Sequence, residues 1–461
     1  MQKGFLFDVN KCTGCSACQI ACAIENELPI GMAWRRINTF NAARIPGIPV
    51  FHHSRACYHC LDPPCMKYCP ALAYSKDPVT GAVTIDKELC IGCKYCSWVC
   101  PYDAPQFDPV AEVMEKCTFC EHRLSVGEDP VCVSLCPTGA LGIADDNLQD
   151  GNRNTLGFPD SGAKPAIQFV DLREERSFPR ASGSGGTGLS VSVGDDRKTT
   201  RDRKISLSNE WSLVVFTLIA AWMTGYLTAT VVSTVRIDPA LFLTAGVAGF
   251  LLSTLHIGRK RRAHRAMLNW RQSWLSREVI LFPLFLAAAT LYLIGVPHLS
   301  SVGWMCAGIG FAALFAMDRL YGVTGARGLN QHSGQVVLVG LFVAGLIARD
   351  VPTVVTLAVL RLILYAIGKH HLRTHRGNPR WALSLTRVFI GLVVPTAVVA
   401  FEFERFFVYA VVGAAVGELI DRCEYYMDME IPTPRGQMSN DLAMAIAGLD
   451  PTGQSARRVT E

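Results

Sequence analysis

Sixteen of the eighteen cysteines in this chain fall between residues 12 and 136, in four groups of four. They are Cys12, Cys15, Cys18 and Cys22; Cys57, Cys60, Cys65 and Cys69; Cys90, Cys93, Cys96 and Cys100; and Cys117, Cys120, Cys132 and Cys136. The first and third groups read C-x2-C-x2-C-x3-C, while the second widens one gap to four residues and the fourth widens it to eleven. Such a density of thiols serves disulfides, zinc or iron–sulfur clusters. Disulfide scaffolds are usually short secreted chains, whereas Met1 to Asn10 has a single lysine and no apolar core of a secretory signal. Structural zinc takes isolated sets of four ligands, such as paired C-x2-C. Three close cysteines with a fourth three residues on suit the corners of a [4Fe–4S] cube better. Pro70, Pro101 and Pro137, after the last cysteine of groups two, three and four, fit the same pattern, from which Ala23 in the first group departs.

Sixteen thiolates at four per cube supply four [4Fe–4S] clusters. Four clusters in one chain have little use except to conduct single electrons. Strand-like runs flank the cysteine loops: Phe5 to Phe7 before Cys12, Val83 to Ile85 before Cys90, and Leu141 to Ile143 after Cys136. The loops themselves must stay irregular so that backbone N–H groups can turn toward sulfur. The runs resemble those of two-cluster ferredoxins, in which the fourth cysteine of a run serves the other cluster. That resemblance implies four interleaved sets: Cys12, Cys15, Cys18 with Cys136; Cys117, Cys120, Cys132 with Cys22; Cys57, Cys60, Cys65 with Cys100; and Cys90, Cys93, Cys96 with Cys69. One ferredoxin-type pair is then inserted within the other, over residues 1–146, and the first motif is tied to the last.

The composition then shifts. Residues 147–210 read as a linker, glycine- and serine-rich from Arg180 to Gly188. Near its end Arg197, Lys198, Arg201, Arg203 and Lys204 suit a juxtamembrane anchor on anionic lipid. Eight apolar stretches follow, near 211–234, 238–258, 279–296, 301–317, 334–348, 351–368, 382–401 and 405–420. A span needs about 20 mostly apolar residues, so residues 211–426 are expected to form eight transmembrane helices, with 427–461 a polar C-terminal tail. The fold class expected is an α+β ferredoxin-like iron–sulfur domain followed by an all-α eight-helix transmembrane bundle. The net charge of +5 is small for 461 residues and does not suggest nucleic acid. Lysines and arginines cluster instead beside apolar runs. Eighteen lie on the side shared with the amino terminus and three on the other, which puts the cysteine-rich domain on the cytoplasmic face of a bacterial inner membrane. A reducing cytosol also suits sixteen thiolates.

The stretches CTGCSACQIAC (12–22), CIGCKYCSWVCP (90–101) and CTFC (117–120) resemble the four-cluster iron–sulfur subunits of membrane-bound molybdopterin oxidoreductases. HIG (256–258), RAMLN (265–269) and SWLSRE (273–278) resemble the eight-helix anchor subunit of dimethyl sulfoxide reductase. In that family the two parts are usually separate chains; here they look fused. The resemblance implies a molybdopterin catalytic subunit as partner and a quinol site, for example for menaquinol, in the anchor. It implies a role in anaerobic respiration, with no site for the terminal substrate in this chain. Cys93 stands where some relatives lack a cysteine, so all four clusters are expected to hold four irons. The charge asymmetry favours cytoplasm-facing relatives, such as sulfite-oxidising complexes. Polysulfide reductase, nitrite reductase and hydrogenase complexes use similar modules, and a transporter or sensor with regulatory clusters is a remoter alternative.

A quinone needs an apolar slot and groups that exchange protons with its oxygens. Ionisable residues at membrane depth are costly and are candidates by default: His256, Glu278, Asp318, Arg361, Arg387 and Glu418. His256 ends the second stretch and Glu278 opens the third, on one face of the bundle and within the stretch that carries the resemblance. They are the expected quinone-binding pair, against a plainer reading as a helix cap and a partner of Arg259 or Arg277. Asp318 reads as a helix-end residue, and Arg361 as a structural ion pair with Glu418 or a carbonyl. The histidines beyond residue 250 (His256, His264, His298, His332, His370, His371 and His375) sit at stretch ends or in loops, so no haem is expected. Cys306 and Cys423 read as apolar packing residues.

Overall fold

The computed structural model describes residues 2–144, 156–159, 162–170, 172–173, 205, 207–295, 299–322, 334–376, 381–429, 431, 433–446 and 448, without the side chains of 371–376. The expected glycine-serine linker, the basic stretch 197–204, His298 and His332 lie outside this description, as do Arg327 and Arg380 of the charge count and the side chains of His371, Arg373, His375 and Arg376. The chain divides into two compact units. One comprises Met1–Cys69, Ala73–Lys204 and Ile431–Glu461, the other Pro70–Leu72 and Ile205–Glu430.

In the first unit, strand Gly4–Asp8 alternates inward phenylalanines with outward residues and becomes the centre of a three-stranded sheet. It pairs antiparallel with Leu141–Ala144, Phe5 opposite Ile143, and parallel with Ile167–Val170. The segment before the first cysteine motif is thereby hydrogen-bonded to the segment after the last. Among the described residues, three two-stranded ribbons complete the β structure: Arg36–Phe40 with Phe51–Arg55, Tyr74–Lys76 with Val83–Ile85, and Gln106–Asp108 with Val113–Glu115. Short helices Ala17–Glu25, Pro64–Lys67, Tyr95–Val99 and Val131–Ser134 carry Cys18 and Cys22, Cys65, Cys96, and Cys132. Aromatic rings fill the space between: Phe5 meets Phe119 edge to face at 4.9 Å, and Phe40 stacks on Phe51 at 4.6 Å.

Beyond Asp428 the chain, expected as a polar tail, forms another helix, Pro434–Ile446, which belongs to the first unit. Met438 and Leu442, four residues apart, join the aromatic core. The Asp441 carboxylate accepts the N–H of Gly157 at 2.6 Å. A few apolar residues at helical spacing sufficed to dock a segment whose overall composition is polar.

The second unit is helical. Among the described residues, six helices are long and apolar enough to cross a membrane: Leu207–Val232, Pro239–His256, Trp274–Gly295, Ser300–Gly322, Val351–His370 and Trp381–Ala400. Val336–Ala348 is apolar but only 13 residues long. Phe407–Asp428 has the length but carries Glu418, Asp421, Arg422, Glu424 and Asp428 along its second half, so it does not join the six. The sequence expectation of eight spans therefore meets six helices that satisfy length and composition by themselves. Leu207–Val232 is the hub, packed on Pro239–Ser253, Ser300–Gly322, Val336–Ala348 and Phe407–Asp428. Helix Trp381–Ala400 contains one π-turn, Phe389–Val393, just before Pro395; the missing proline N–H and its ring account for the widened turn.

Candidate metal centres

The four cysteine loops share one backbone device. The residue two after the leading cysteine is left-handed in each: Gly14 (φ 73°), His59 (42°), Gly92 (68°) and Phe119 (65°). This turns its N–H back onto the leading thiol. His59 donates to Cys57 Sγ at 3.5 Å, Gly92 to Cys90 Sγ at 3.4 Å and Phe119 to Cys117 Sγ at 3.4 Å, and Gly14 does the same for Cys12. Glycine adopts that conformation freely; His59 and Phe119 are held in it by stacking on each other, ring centroids 4.8 Å apart.

The thiols gather across motifs. Cys12 has Cys15, Cys18 and Cys136 within electrostatic reach. Cys22 has Cys120 and Cys132, and Cys117 adds itself to them. Cys60 faces Cys57, Cys65 and Cys100. Cys96 faces Cys69, Cys90 and Cys93. In each set three thiols come from one motif and the fourth from another. Neighbouring sets lie within electrostatic reach of one another: Cys18 of Cys22 and Cys132, Cys117 of Cys57, and buried Tyr74 has both Cys65 and Cys96 beside it.

Whether these sets fit a cubane can be judged from what surrounds them. A cavity is lined by Cys57, Cys60, Cys65 and Cys100 together, closed by Tyr58, Tyr102, Pro101 and Lys116. Among the described residues no three histidine, cysteine or acidic groups close on a point that could hold one ion; a cube with one thiolate at each iron corner needs its sulfurs spread apart. Thiolates around a cube leave negative charge, and the structure buries two cations beside them. Arg35, 1% exposed, has Cys18, Cys22, Cys117 and Cys132 as electrostatic neighbours. Lys116, 1% exposed, has Cys57, Cys65 and Cys117, and donates to the carbonyls of Val83 and, at 3.0 Å, Cys117. Without iron, burial pushes the Cys22 thiol up to about 12, only partly offset by Arg35. At Cys136 burial acts the same way, but N–H groups of Leu141 and Thr138 win and the pKa falls. The donor chemistry, the sulfur-directed N–H groups and the buried cations all fit four-iron clusters.

In the helical unit, the expected quinone-site residues are distributed as follows. His256 closes a 3-10 turn, Thr254–His256, after the second helix. Glu278 is buried in the first turns of Trp274–Gly295, where its charged neighbour is Arg422. Arg422 donates to Thr217 Oγ1 at 3.2 Å and to the Gly334 carbonyl at 3.0 Å, and lies over the rings of Tyr321, Tyr425 and Tyr426 at 4.7–5.3 Å. Tyr321 and Tyr426 are hydrogen-bonded hydroxyl to hydroxyl. Asp318 accepts the N–H groups of Val336 at 2.9 Å and Val337 at 3.1 Å, so it caps the start of the next helix rather than the end of its own. Arg361 is ion-paired with Glu418, as read from the sequence, and also with Asp421 at 3.1 Å. Asp421, Arg422 and Glu424 were missed because the last apolar stretch was ended at 420, and Lys369 because the sixth was ended at 368, which left it among the loop charges. The signal was present: acids at 418, 421, 424 and 428 recur every three or four residues, the stripe of one helix face.

Residues 48–146 match the family described as 4Fe-4S dicluster domain. The chain is 34% identical over 204 residues to the B subunit of sulfite dehydrogenase from Allochromatium vinosum, covering 38% of this chain and 85% of that one. It is 40% identical over 152 residues to the B chain of anaerobic dimethyl sulfoxide reductase from Haemophilus influenzae, covering 31% and 74%. It is 39% identical over 145 residues to the B chain of polysulfide reductase from Wolinella succinogenes, covering 31% and 75%.

Proposed function

Because the N-terminal part of this protein belongs to the iron–sulfur family of these oxidoreductase components, we propose that it carries electrons between a quinone pool in the membrane and a molybdopterin catalytic partner. The observation that carries this reading is the row of four cross-motif thiol sets with buried cations between them. The ligand sets proposed are Cys12, Cys15, Cys18 and Cys136; Cys22, Cys117, Cys120 and Cys132; Cys57, Cys60, Cys65 and Cys100; and Cys69, Cys90, Cys93 and Cys96. When bound, the [4Fe–4S] clusters supply one-electron carriers in series. The chain's own residues hold them: left-handed loop residues aim N–H groups at sulfur, Arg35 and Lys116 compensate charge, and the aromatic core excludes water.

The helical unit is proposed as the membrane anchor, with Val336–Ala348 and Phe407–Asp428 completing eight spans among the six that qualify by themselves. The first unit faces the cytoplasm in this reading, supported by the excess of basic residues on that side. Quinone chemistry is assigned to the His256 and Glu278 region, where Glu278 exchanges the proton and Arg422 balances its charge. The decisive experiment is anaerobic purification from native membranes with metal analysis. About sixteen irons per chain, with co-purifying molybdenum and quinol-dependent bleaching of the cluster absorbance, are expected. Iron-free material would overturn the electron-transfer reading, and loaded clusters that quinol cannot reduce nor quinone oxidise would overturn the quinone reading alone.

A further inference from the structure

Of the four left-handed residues that follow the leading cysteines by two, His59 alone carries a side chain able to hydrogen-bond. Gly14 and Gly92 do the backbone work without strain, and Phe119 adds an apolar ring. A histidine in that conformation is strained. A ring without nitrogens would stack on Phe119 equally well. What the two nitrogens do is therefore a separate question.

His59 is 1% exposed. Its Nδ1 accepts the N–H of Val83 at 2.9 Å. A backbone N–H only donates, so Nδ1 carries no proton and the ring's proton is on Nε2. The hydrogen bond thus fixes one neutral tautomer. Val83 is itself fixed in a ribbon, paired with Lys76, and its carbonyl accepts Lys116. Gln2 donates to the His59 carbonyl at 3.0 Å. The ring lies on Phe119 with an interplanar angle of 21°. The imidazole is held at one edge, one face and its backbone.

The remaining donor is open. His59 Nε2 is buried, and among the described residues nothing accepts its proton, the thiols included. A buried donor without an acceptor is costly, and native structures rarely keep one. His59 also lines the cavity bounded by Cys57, Cys60, Cys65 and Cys100, as do Val83 and Lys116. The sulfurs of a four-iron cube are hydrogen-bond acceptors, so a cluster in that cavity supplies what the chain lacks.

We propose that His59 donates its Nε2–H to a sulfur of the cluster held by Cys57, Cys60, Cys65 and Cys100, and so raises that cluster's potential relative to its neighbours. The proposal rests on the reading of these four thiols as one ligand set. A hydrogen bond to cluster sulfur favours the reduced, more negative state. The donor carries no net charge, so its effect stays with the cluster it touches, whereas the charge of Lys116 acts on thiols of two sets. No covalent bond changes and the proton stays on Nε2.

The test is pulsed electron paramagnetic resonance of the full cluster-loaded chain, reduced stepwise without oxygen, with histidine labelled by the heavy nitrogen isotope. A hyperfine coupling between one reduced cluster and a histidine nitrogen is expected. In His59→Gln the amide oxygen accepts from Val83 and the amide nitrogen donates, so the potential is expected to hold while the histidine coupling disappears. His59→Phe keeps the stacked ring without its nitrogens; the midpoint potential of one cluster is expected to fall and the other three to stay. A loaded native chain with no histidine coupling would overturn the proposal while leaving the cluster reading intact, a buried water then taking the donor. A coupling that survives in His59→Gln belongs to another histidine and overturns it too. Unchanged potentials in a fully loaded His59→Phe chain, or equal falls in two clusters, would reduce His59 to a packing residue. Iron-free native material would overturn the cluster reading and this proposal with it. If His59→Phe fails to load iron, the labelled native chain and His59→Gln decide.

Discussion

Lys116 is a fixed positive charge buried against thiols of two different sets, Cys57 and Cys65 on one side and Cys117 on the other. With clusters bound in the proposed sets, a cation there favours the reduced state of both neighbours. Lys116→Met is expected to lower both potentials by roughly 100 mV, the scale of one nearby charge at an effective dielectric of about 20. Redox titration followed by electron paramagnetic resonance checks this, with Lys116→Arg restoring the shift; unchanged potentials would reduce Lys116 to a hydrogen-bond donor for Val83. His53 is buried, and burial pushes its pKa from 6.5 down to about 3. The folded state holds it neutral while the unfolded chain protonates it, so its contribution is complete above about pH 6.5 and is lost as pH falls toward 3. His53→Phe should flatten the acid limb of thermal stability between those values. Glu278→Gln is expected to slow quinol turnover by at least about 100-fold while leaving cluster signals intact; full turnover would remove Glu278 from the quinone site.

At the scale of elements, the cysteine loops and the helices obey different rules. Each loop is set by one left-handed residue and a sulfur-directed N–H, so it is specified within a few residues of sequence. Two of these positions are glycine, which adopts the conformation freely; His59 and Phe119 are held in it by a mutual stacking that spans sixty residues of chain, which no local window of sequence registers. Helix Val336–Ala348 starts where Asp318, eighteen residues earlier, accepts its first N–H groups. Asp318→Ala is expected to cost about 1 kcal/mol, read as a lower thermal midpoint of the helical signal in detergent. The last helix was cut short in the sequence reading because its charges look like a loop. Glu418, Asp421 and Glu424 are buried because each is paired with a cation on another helix, which no single-segment hydropathy can register.

For the whole molecule, the two units draw stability from different sources. The helical unit rests on apolar packing around Leu207–Val232. The first unit is small in regular structure, and thirteen of its sixteen motif thiols are buried. Removing iron should therefore melt the first unit, exposing its cysteines to alkylation and its backbone to protease, while far-ultraviolet helical signal from the second unit persists. Retention of a protease-resistant first unit after iron removal would show that the aromatic core suffices without clusters.

What the sequence determined by itself was chemistry carried by local spacing: sixteen thiols in cluster motifs, the strands Phe5 to Phe7, Val83 to Ile85 and Leu141 to Ile143, and a run of apolar helices. Thiol spacing, strand alternation and hydropathy are short-range properties, readable one window at a time. Tertiary structure alone decided that Arg35 and Lys116 are buried beside the thiols, that a helix near the C-terminus returns to the first unit, and that seven charges pair inside the helical one. Those outcomes depend on which distant segments meet, because burial of a charge is tolerated only when its partner arrives from elsewhere in the sequence.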